Sequence, residues 1–237
     1  MDLFKFDGKY IRLKDIYGNT FEGRARHGGW EFLHHEYGGD EDGIFIDDYL
    51  VYKSQIDAIE EIVPHGTAEL WTERLVLRRY RPDDWEQLYK YFGTDPEMYK
   101  YSGWNPYKTP EITKETIRRF IDSYCDEHSY SWVIDVDDVI VGTIGAYDYD
   151  GDRIEAGLSI NPGWWGRGFA SEALRKVLEY LTENEEIPCV TAWCASDNIG
   201  SYKAMEKAGM QLVSTEKAAL TILDKTYDKL IYEYYKR

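Results

Sequence analysis

From Ser159 to Ala173 the chain runs Ser-Ile-Asn-Pro-Gly-Trp-Trp-Gly-Arg-Gly-Phe-Ala-Ser-Glu-Ala, a strand end, a Gly-rich turn and a helix start with almost no spare residues between them. Such a junction gathers main-chain N–H groups around one point. The first turn of a helix has amides without intrahelical partners and carries partial positive charge, so a phosphate binds there with little side-chain help. Gly166 and Gly168 permit close approach and unusual backbone angles. Phe169, Ala170, Ala173, Leu174, Val177, Leu178 and Leu181 then recur at helical spacing, which predicts an amphipathic helix from near Gly168. The chemistry expected here is a phosphate cradle on a helix N-terminus.

Gly166-Arg-Gly-Phe-Ala-Ser171 superficially offers the dinucleotide fingerprint, but that site needs an early βαβ unit and an acidic residue about 20 positions on. Here antiparallel strands come before the junction, and the first acidic residue after the next strand, Asp197, is too far along. A P-loop fails because no Gly-Lys-Ser or Gly-Lys-Thr occurs. Other chemistry is thinner still. His34 and His35 are adjacent on an expected strand and so point to opposite faces, and Cys125-Asp-Glu-His128 is half of a metal-ligand pattern. Asp40-Glu-Asp-Gly43 lacks the acidic twelfth position of a calcium loop, where Val51 stands, and there is no G-x-S-x-G nucleophile elbow. No metal is expected.

The elements that must position the cradle fall into two parts. Residues 1–63 read as short strands at 10–13, 20–26, 30–36, 44–46 and 56–62, punctuated by Gly18-Asn19, Gly28-Gly29, Gly38-Gly39 and Asp42-Gly43. With Lys14-Asp-Ile-Tyr-Gly-Asn-Thr-Phe-Glu-Gly23 at its first hairpin, this part resembles a small Sm-like or SH3-like β-barrel. Residues 64–68 read as a linker. From 69 to 237 the order is a strand at 70–80, a helix from Pro82-Asp83-Asp84, a helix at 113–124, strands at 132–136, 139–147 and 153–160, the cradle helix, a strand at 189–194, a helix at 199–208 closed by Gly209, and a hairpin of 218–223 with 227–235 across Asp224-Lys225. This is an α+β domain with a mixed, mostly antiparallel sheet flanked by helices.

Thr72-Glu-Arg-Leu-Val-Leu-Arg78 through Gly209-Met210 resembles a GCN5-related N-acetyltransferase (GNAT), most closely the branch that acetylates ribosomal-protein N-termini. The motifs are Glu155-Ala-Gly-Leu-Ser-Ile-Asn-Pro162, Trp165-Gly-Arg-Gly-Phe-Ala-Ser-Glu-Ala173 and Asn198-Ile-Gly-Ser-Tyr-Lys-Ala-Met-Glu-Lys-Ala-Gly-Met210, and the likeness covers residues 69–237. It implies transfer of an acetyl group from acetyl-CoA directly to a primary amine. The family cradle reads Gln or Arg, two residues, Gly, one residue, then Gly or Ala; Trp165 takes the first position, and Gly168 and Ala170 match. The resemblance assigns the pyrophosphate to amides of Gly166, Arg167, Gly168, Phe169, Ala170 and Ser171, and the pantetheine arm to main-chain groups of Leu158 and Ile160 and to Asn198. Trp164 and Trp165 are otherwise expected as core aromatics, at least one of them buried.

By the same resemblance Glu155 is the general base and Ser201 assists thiolate departure, while main-chain N–H on the split central strands stabilises the oxyanion. Each has a plainer alternative: Glu155 as an ion-pair partner of Arg153, Ser201 as a first-turn helix serine, Asn198 as an N-cap. Two positions depart from the pattern. Met205 stands where many family members have a tyrosine acid, and Leu220 where the ribosomal branch has a glutamate, which keeps open a non-catalytic CoA-binding regulatory or scaffold protein.

Composition bounds the partners. The 237 residues hold 44 acidic against 28 basic residues, a net charge of −16, so nucleic acid is disfavoured and a cationic acceptor such as a polyamine, an aminoglycoside or a basic N-terminus suits the field, although solubility alone also explains it. Residues 1–66 carry 14 acidic against 7 basic residues, which turns the barrel from RNA toward a protein partner or a homodimer contact. No apolar run suits a membrane span, and three cysteines, an odd and sparse set, suggest buried free thiols and a cytoplasmic protein.

Overall fold

The computed structural model describes residues 1–46, 49–62, 65–102 and 105–236, and of Cys125 the backbone alone. The chain forms two compact units, Met1–His65 and Gly66–Arg237.

In the first unit, β1 (Tyr10–Asp15), β2 (Thr20–Gly28), β3 (Gly43–Ile46), β4 (Tyr49–Tyr52) and β5 (Ile56–Glu61) make one antiparallel sheet in the order β4-β3-β2-β1-β5. Strand β2 is long enough to change partners: Thr20–Arg24 pairs with β1, and Ala25–Gly28 with β3. Alternate residues of β1 face inward, Ile11 and Leu13 among them, and pack with Leu3, Phe6, Ala25, Ile44, Ile46 and Val51. One expected strand is a helix. Trp30–Tyr37 (α1) is helical because Asp42 Oδ1 accepts the Trp30 N–H at 2.8 Å, while Gly38 at φ 70° closes the far end by donating to the His34 carbonyl. The Gly38-Gly39 pair is thus a helix cap and not a hairpin turn. His34 and His35 therefore lie on neighbouring helical positions, beside Asp40 at 3.1 Å and Glu36 at 2.6 Å. The strand at 49–52 has no counterpart in the sequence reading.

The second unit is built on an eight-stranded sheet, β12-β13-β11-β10-β9-β8-β7-β6. Its strands are β6 (Leu70–Trp71), β7 (Val76–Arg78), β8 (Tyr130–Val136), β9 (Val139–Tyr147), β10 (Arg153–Ile160), β11 (Cys189–Ala195), β12 (Gln211–Ile222) and β13 (Lys225–Tyr235). Every pairing is antiparallel except β10 with β11. This is the GNAT-type α+β architecture that the sequence led us to expect. The helices are α2 (Trp85–Leu88), α3 (Pro110–Asp122), α4 (Phe169–Glu183) and α5 (Ile199–Ala208), and α2 continues as a π turn over Tyr89–Gly93.

Helices cover both faces of the sheet. On β8, Val133 packs with Tyr80, Leu88, Phe92 and Ile117 beneath α2 and α3, whereas the ring of its neighbour Trp132 stands 6.2 Å from Tyr180 of α4. Successive strand residues face opposite ways, so one strand seats both helical layers.

Three local expectations need correction. The expected strand at 70–80 is broken by a turn in which Thr72 Oγ1 accepts the N–H groups of Leu75 at 2.9 Å and Arg74 at 3.3 Å. The last hairpin turns on Leu223 and Asp224, at φ 47° and 63°, one residue earlier than expected, and its first strand begins at Gln211. The second expected helix starts at Pro110, because Thr109 caps it by accepting the Ile112 N–H.

A buried charge cluster pins β7 to the start of α2. Arg78 donates to both oxygens of Asp84 at 2.9 and 3.0 Å and lies 3.2 Å from Asp135, with side chains only 11%, 5% and 8% exposed respectively. Burial opposes the Arg78 charge, but the two carboxylates outweigh it and raise the guanidinium further. Arg78→Ala would strand two buried carboxylates. It is expected to cost about 3–5 kcal/mol in urea unfolding, whereas Arg118→Ala, whose Glu115 partner is open to water, should cost under about 1 kcal/mol.

Candidate functional site

Strands β10 and β11 are held together by only three register pairs, Arg153 with Cys189, Ile154 with Val190 and Glu155 with Thr191. Beyond Glu155 they part. Strand β10 keeps its pairing to β9 as far as Ile160, and β11 keeps β13 as far as Ala195, so each loses its neighbour on the inner side only. A groove of about 430 Å³ opens at this parting, walled by Leu158 to Ile160, the turn before α4 and the start of α5. Unpaired strand edges in such a groove can take an extended chain as an added strand.

At the mouth of the groove Gly166 and Gly168 adopt φ 74° and 84°, backbone that other residues rarely tolerate. A Cβ on Gly166 would meet open space, so it is backbone conformation that favours glycine there. The first amide past the turn to close a helical bond is Glu172, onto the Gly168 carbonyl at 3.1 Å. Those of Phe169, Ala170 and Ser171 are left at the helix start without intrahelical partners, as an anion site requires. The residues present thus fit the pyrophosphate of acetyl-CoA.

The indole tryptophans correct the expectation of a core role. Trp165 is 52% exposed and donates Nε1–H to the Ile160 carbonyl at 2.6 Å, while Trp164 is half-buried, 4.5 Å beneath the Arg167 guanidinium. Both line the groove. The Ile160 carbonyl is therefore already engaged, and the open edge beside it falls to the groups before it.

The cradle is braced from a distant part of the chain. The turn between β6 and β7 delivers Arg74, which donates to Glu172 through Nε at 2.8 Å and to the Arg167 carbonyl at 3.1 Å, and lies 4.8 Å over the Phe169 ring. Thr72 Oγ1 donates to the other Glu172 oxygen at 2.6 Å. Burial works to raise the Glu172 carboxyl, but the Thr72 and Arg74 hydrogen bonds prevail and hold it below its ordinary value.

Of the residues expected at the cofactor, Leu158, Ile160, Trp165, Gly166, Gly168, Phe169, Ala170, Asn198 and Ser201 border this one groove. Arg167 and Ser171 do not: Arg167 turns over Trp164, and Ser171 Oγ donates back to the Gly168 carbonyl at 2.9 Å. Asn198 is an N-cap, its Oδ1 accepting the Ser201 N–H at 3.2 Å. Gly209 at φ 102° ends α5. The Ser201 hydroxyl sits beside Cys194, whose thiol burial pushes up to about 11, the hydroxyl acting against it. Cys189 and Cys194 are buried free thiols. Met205 is buried at 3% exposure, and Leu220 pairs with Tyr227 on the outer hairpin, so neither supplies an acid or base to the groove.

Glu155 stands at the last register pair before the strands part. Its alternative partner is taken: Arg153 bonds Glu233. Glu155 Oε1 accepts the Trp193 indole N–H at 2.9 Å and the Tyr147 hydroxyl at 3.3 Å. Burial and the adjacent carboxylate push the Tyr147 hydroxyl up to about 12, so it remains a donor at neutral pH. Tyr147 lines a second cavity, of about 300 Å³, that shares Met98, Leu158 and Ser159 with the groove. The last hairpin contributes nothing to its wall among the described residues.

Sequence reasoning missed Arg74, Tyr147, Trp193 and Tyr101, whose hydroxyl donates to the Asp197 carbonyl at 3.1 Å on the groove wall. The register of β9 with β10 places Tyr147 opposite Glu155, a signal present in the two strands. Nothing local marks Arg74.

A sequence model of the GNAT acetyltransferase domain matches residues 74–211, more than half of the chain. The chain belongs to the GNAT acetyltransferase family. YnaD of Bacillus subtilis (strain 168), named an uncharacterized N-acetyltransferase, is 28% identical over 166 residues, covering 68% of this chain and 93% of that protein. Among solved structures, a GNAT-family acetyltransferase from Bacillus anthracis is 25% identical with TM-score 0.62, over 70% of this chain and 98% of that one. RimL, a ribosomal-protein α-N-acetyltransferase solved with coenzyme A, shares the fold at TM-score 0.66 and 16% identity, over 70% and 97%. Among the described residues no group of three or more His, Cys, Asp or Glu is placed to hold a metal ion.

Because the Glu172 carboxyl is lowered from an ordinary 4.5, its contribution to stability is complete above that value and is lost as pH falls through the lowered one. Glu172→Gln should melt below the unaltered protein at pH 6, with the gap narrowing as the pH falls below 4.5. A gap that does not change with pH would remove the charged Arg74 brace as its source. The same variant should bind CoA about tenfold more weakly at pH 7, read by titration calorimetry, because a brace at the cradle sets amide positions.

Proposed function

We propose that residues 69–237 form an acetyl-CoA-dependent N-acetyltransferase domain that acts on a primary amine. The observation that carries this reading is the α4 amide cradle opening onto the gap between β10 and β11, with Glu155 at the point of divergence. Acetyl-CoA supplies an electrophilic thioester carbonyl at the inner end of the groove. The cradle amides and the edge of β10 hold the cofactor, and Glu155 takes the acceptor's proton through Tyr147 or a water. Main-chain N–H at the parting steadies charge on the carbonyl oxygen, and Ser201 assists the departing thiolate by donating a hydrogen bond to it.

Residues 1–63 are read as a small β-barrel accessory module that contacts a protein partner or a second copy, with 64–68 as linker. A cytoplasmic setting suits an enzyme that draws on acetyl-CoA and keeps free thiols. The acceptor is a small molecule or a protein N-terminus. RimL, which acts on a ribosomal protein, lends the second option fold-level support alone.

A rival reading, favoured by buried Met205 and by Leu220, keeps CoA binding and loses turnover. The two part cleanly in one assay. With saturating acetyl-CoA the melting temperature should rise by several degrees, and thiol release with an amine panel should fall about 10²- to 10⁴-fold in Glu155→Gln at unchanged CoA affinity. CoA binding without thiol release on any amine would select the rival.

A further inference from the structure

The second cavity rests on a rung of the sheet with little on it. Ser131 of β8 stands opposite Gly145 of β9, and Gly145 opposite Gly157 of β10, so two of three adjacent positions have no side chain. A Cβ on Gly157 would come within 2.8 Å of the Tyr147 hydroxyl, and one on Gly145 within 2.8 Å of the Tyr130 carbonyl. The Tyr147 ring takes up the space that a side chain on Gly157 would need, and the cavity of about 300 Å³ lies beside it. That equals about ten water volumes at about 30 Å³ each, the size of one substituted ring on a short arm.

The wall of this cavity is uncharged. Among the described residues that line it there is no Asp, Glu, Lys, Arg or His, although the chain carries a net charge of −16. Five tyrosines and two phenylalanines are among its nineteen residues. Their hydroxyls are largely spent within the protein. The hydroxyls of Tyr80, Tyr107 and Thr143 cluster together, Tyr130 donates to Glu185 at 3.0 Å, and Tyr147 donates to Glu155.

Ser131 is the exception. It is 6% exposed, it lines the cavity, and its Oγ has no hydrogen-bond partner. The nearby Tyr124 hydroxyl already accepts the Tyr80 N–H at 2.6 Å and gives its proton to the Ser131 carbonyl at 3.2 Å. A buried hydroxyl left alone costs about 1–3 kcal/mol unless something reaches it.

We propose that this cavity takes the body of the acceptor, and that the body is an uncharged aromatic ring whose polar substituent bonds Ser131 Oγ, with a single amine on a short arm directed to Met98, Leu158 and Ser159. Polycations are disfavoured by the same wall, since a second ammonium would give up its water for ring faces alone, with no carboxylate to meet it. The proposal rests on the acetyl-transfer reading and narrows its substrate. Ser131 is then the residue that selects the substituent.

The test is the ratio of kcat/KM for three amines with the full-length protein and acetyl-CoA: tyramine, phenethylamine and spermidine. Both ring amines should exceed spermidine at least tenfold, and tyramine should exceed phenethylamine about tenfold, the worth of one satisfied buried hydroxyl. In Ser131→Ala the preference for tyramine should collapse to within about threefold. Spermidine as the best substrate overturns the proposal while leaving acetyl transfer standing, and so does an undiminished tyramine preference in the variant. Failure of acetyl-CoA to bind or to be consumed with any amine brings down the transfer reading and this one with it. The unaltered protein decides the question of charge even if the variant does not fold.

Discussion

A parallel strand pair that holds for three residues and then opens is the constraint on which this site depends. A sheet normally satisfies its main-chain groups by pairing on both sides. Strands β10 and β11 give that up after Glu155 and Thr191, and each is kept straight by its other neighbour, β9 or β13. The cost of the unpaired edges is borne by a rigid frame: β8 is buried through Tyr130–Asp135, and helices pack on both its faces. The same parting aims the start of α4 and the start of α5 at one groove, because both helices leave from the strand ends that diverge. The groove, the second cavity and Glu155 are arranged about that single opening.

Much of this was legible in the chain because its signals are local. Helix α4 announces itself by its apolar spacing and by Gly166 and Gly168, whose positive φ values the turn requires. Asn198 and Gly209 cap α5 as their residue types suggest. The nine cofactor residues that meet in the groove come from three short stretches, each with its own pattern. Resemblance to GNAT sequences joined those stretches, and the matched domain agrees.

What was illegible depends on contacts between distant segments. Helix α1 was read as a strand because Gly28-Gly29 and Gly38-Gly39 flank it at hairpin-like spacing; Asp42, beyond the helix, caps it, and Gly38 ends it where a hairpin was expected. Arg74 lies 98 residues from its partner Glu172, and only the β6–β7 turn brings the two together. Trp164 and Trp165 were given to the core on the strength of their size. The turn before α4 instead holds them at the surface, one by its indole N–H and one beneath Arg167.

Net charge is a weak guide to an acceptor. A sum over 237 residues says where counter-ions gather on average, and an acidic total pointed to a cationic substrate. Near the site the charges have partners already: Arg74 with Glu172, Arg78 with Asp84 and Asp135, Arg153 with Glu233. Glu155 faces an indole N–H and a hydroxyl instead of a cation. Specificity in a cavity follows from the few groups that line it and from which of them is left unsatisfied. In the second cavity those groups are aromatic rings, the bare Gly145 and Gly157, and several hydroxyls, of which Ser131 Oγ is buried without a hydrogen-bond partner, and on the proposed reading this wall, more than the summed charge, selects the acceptor.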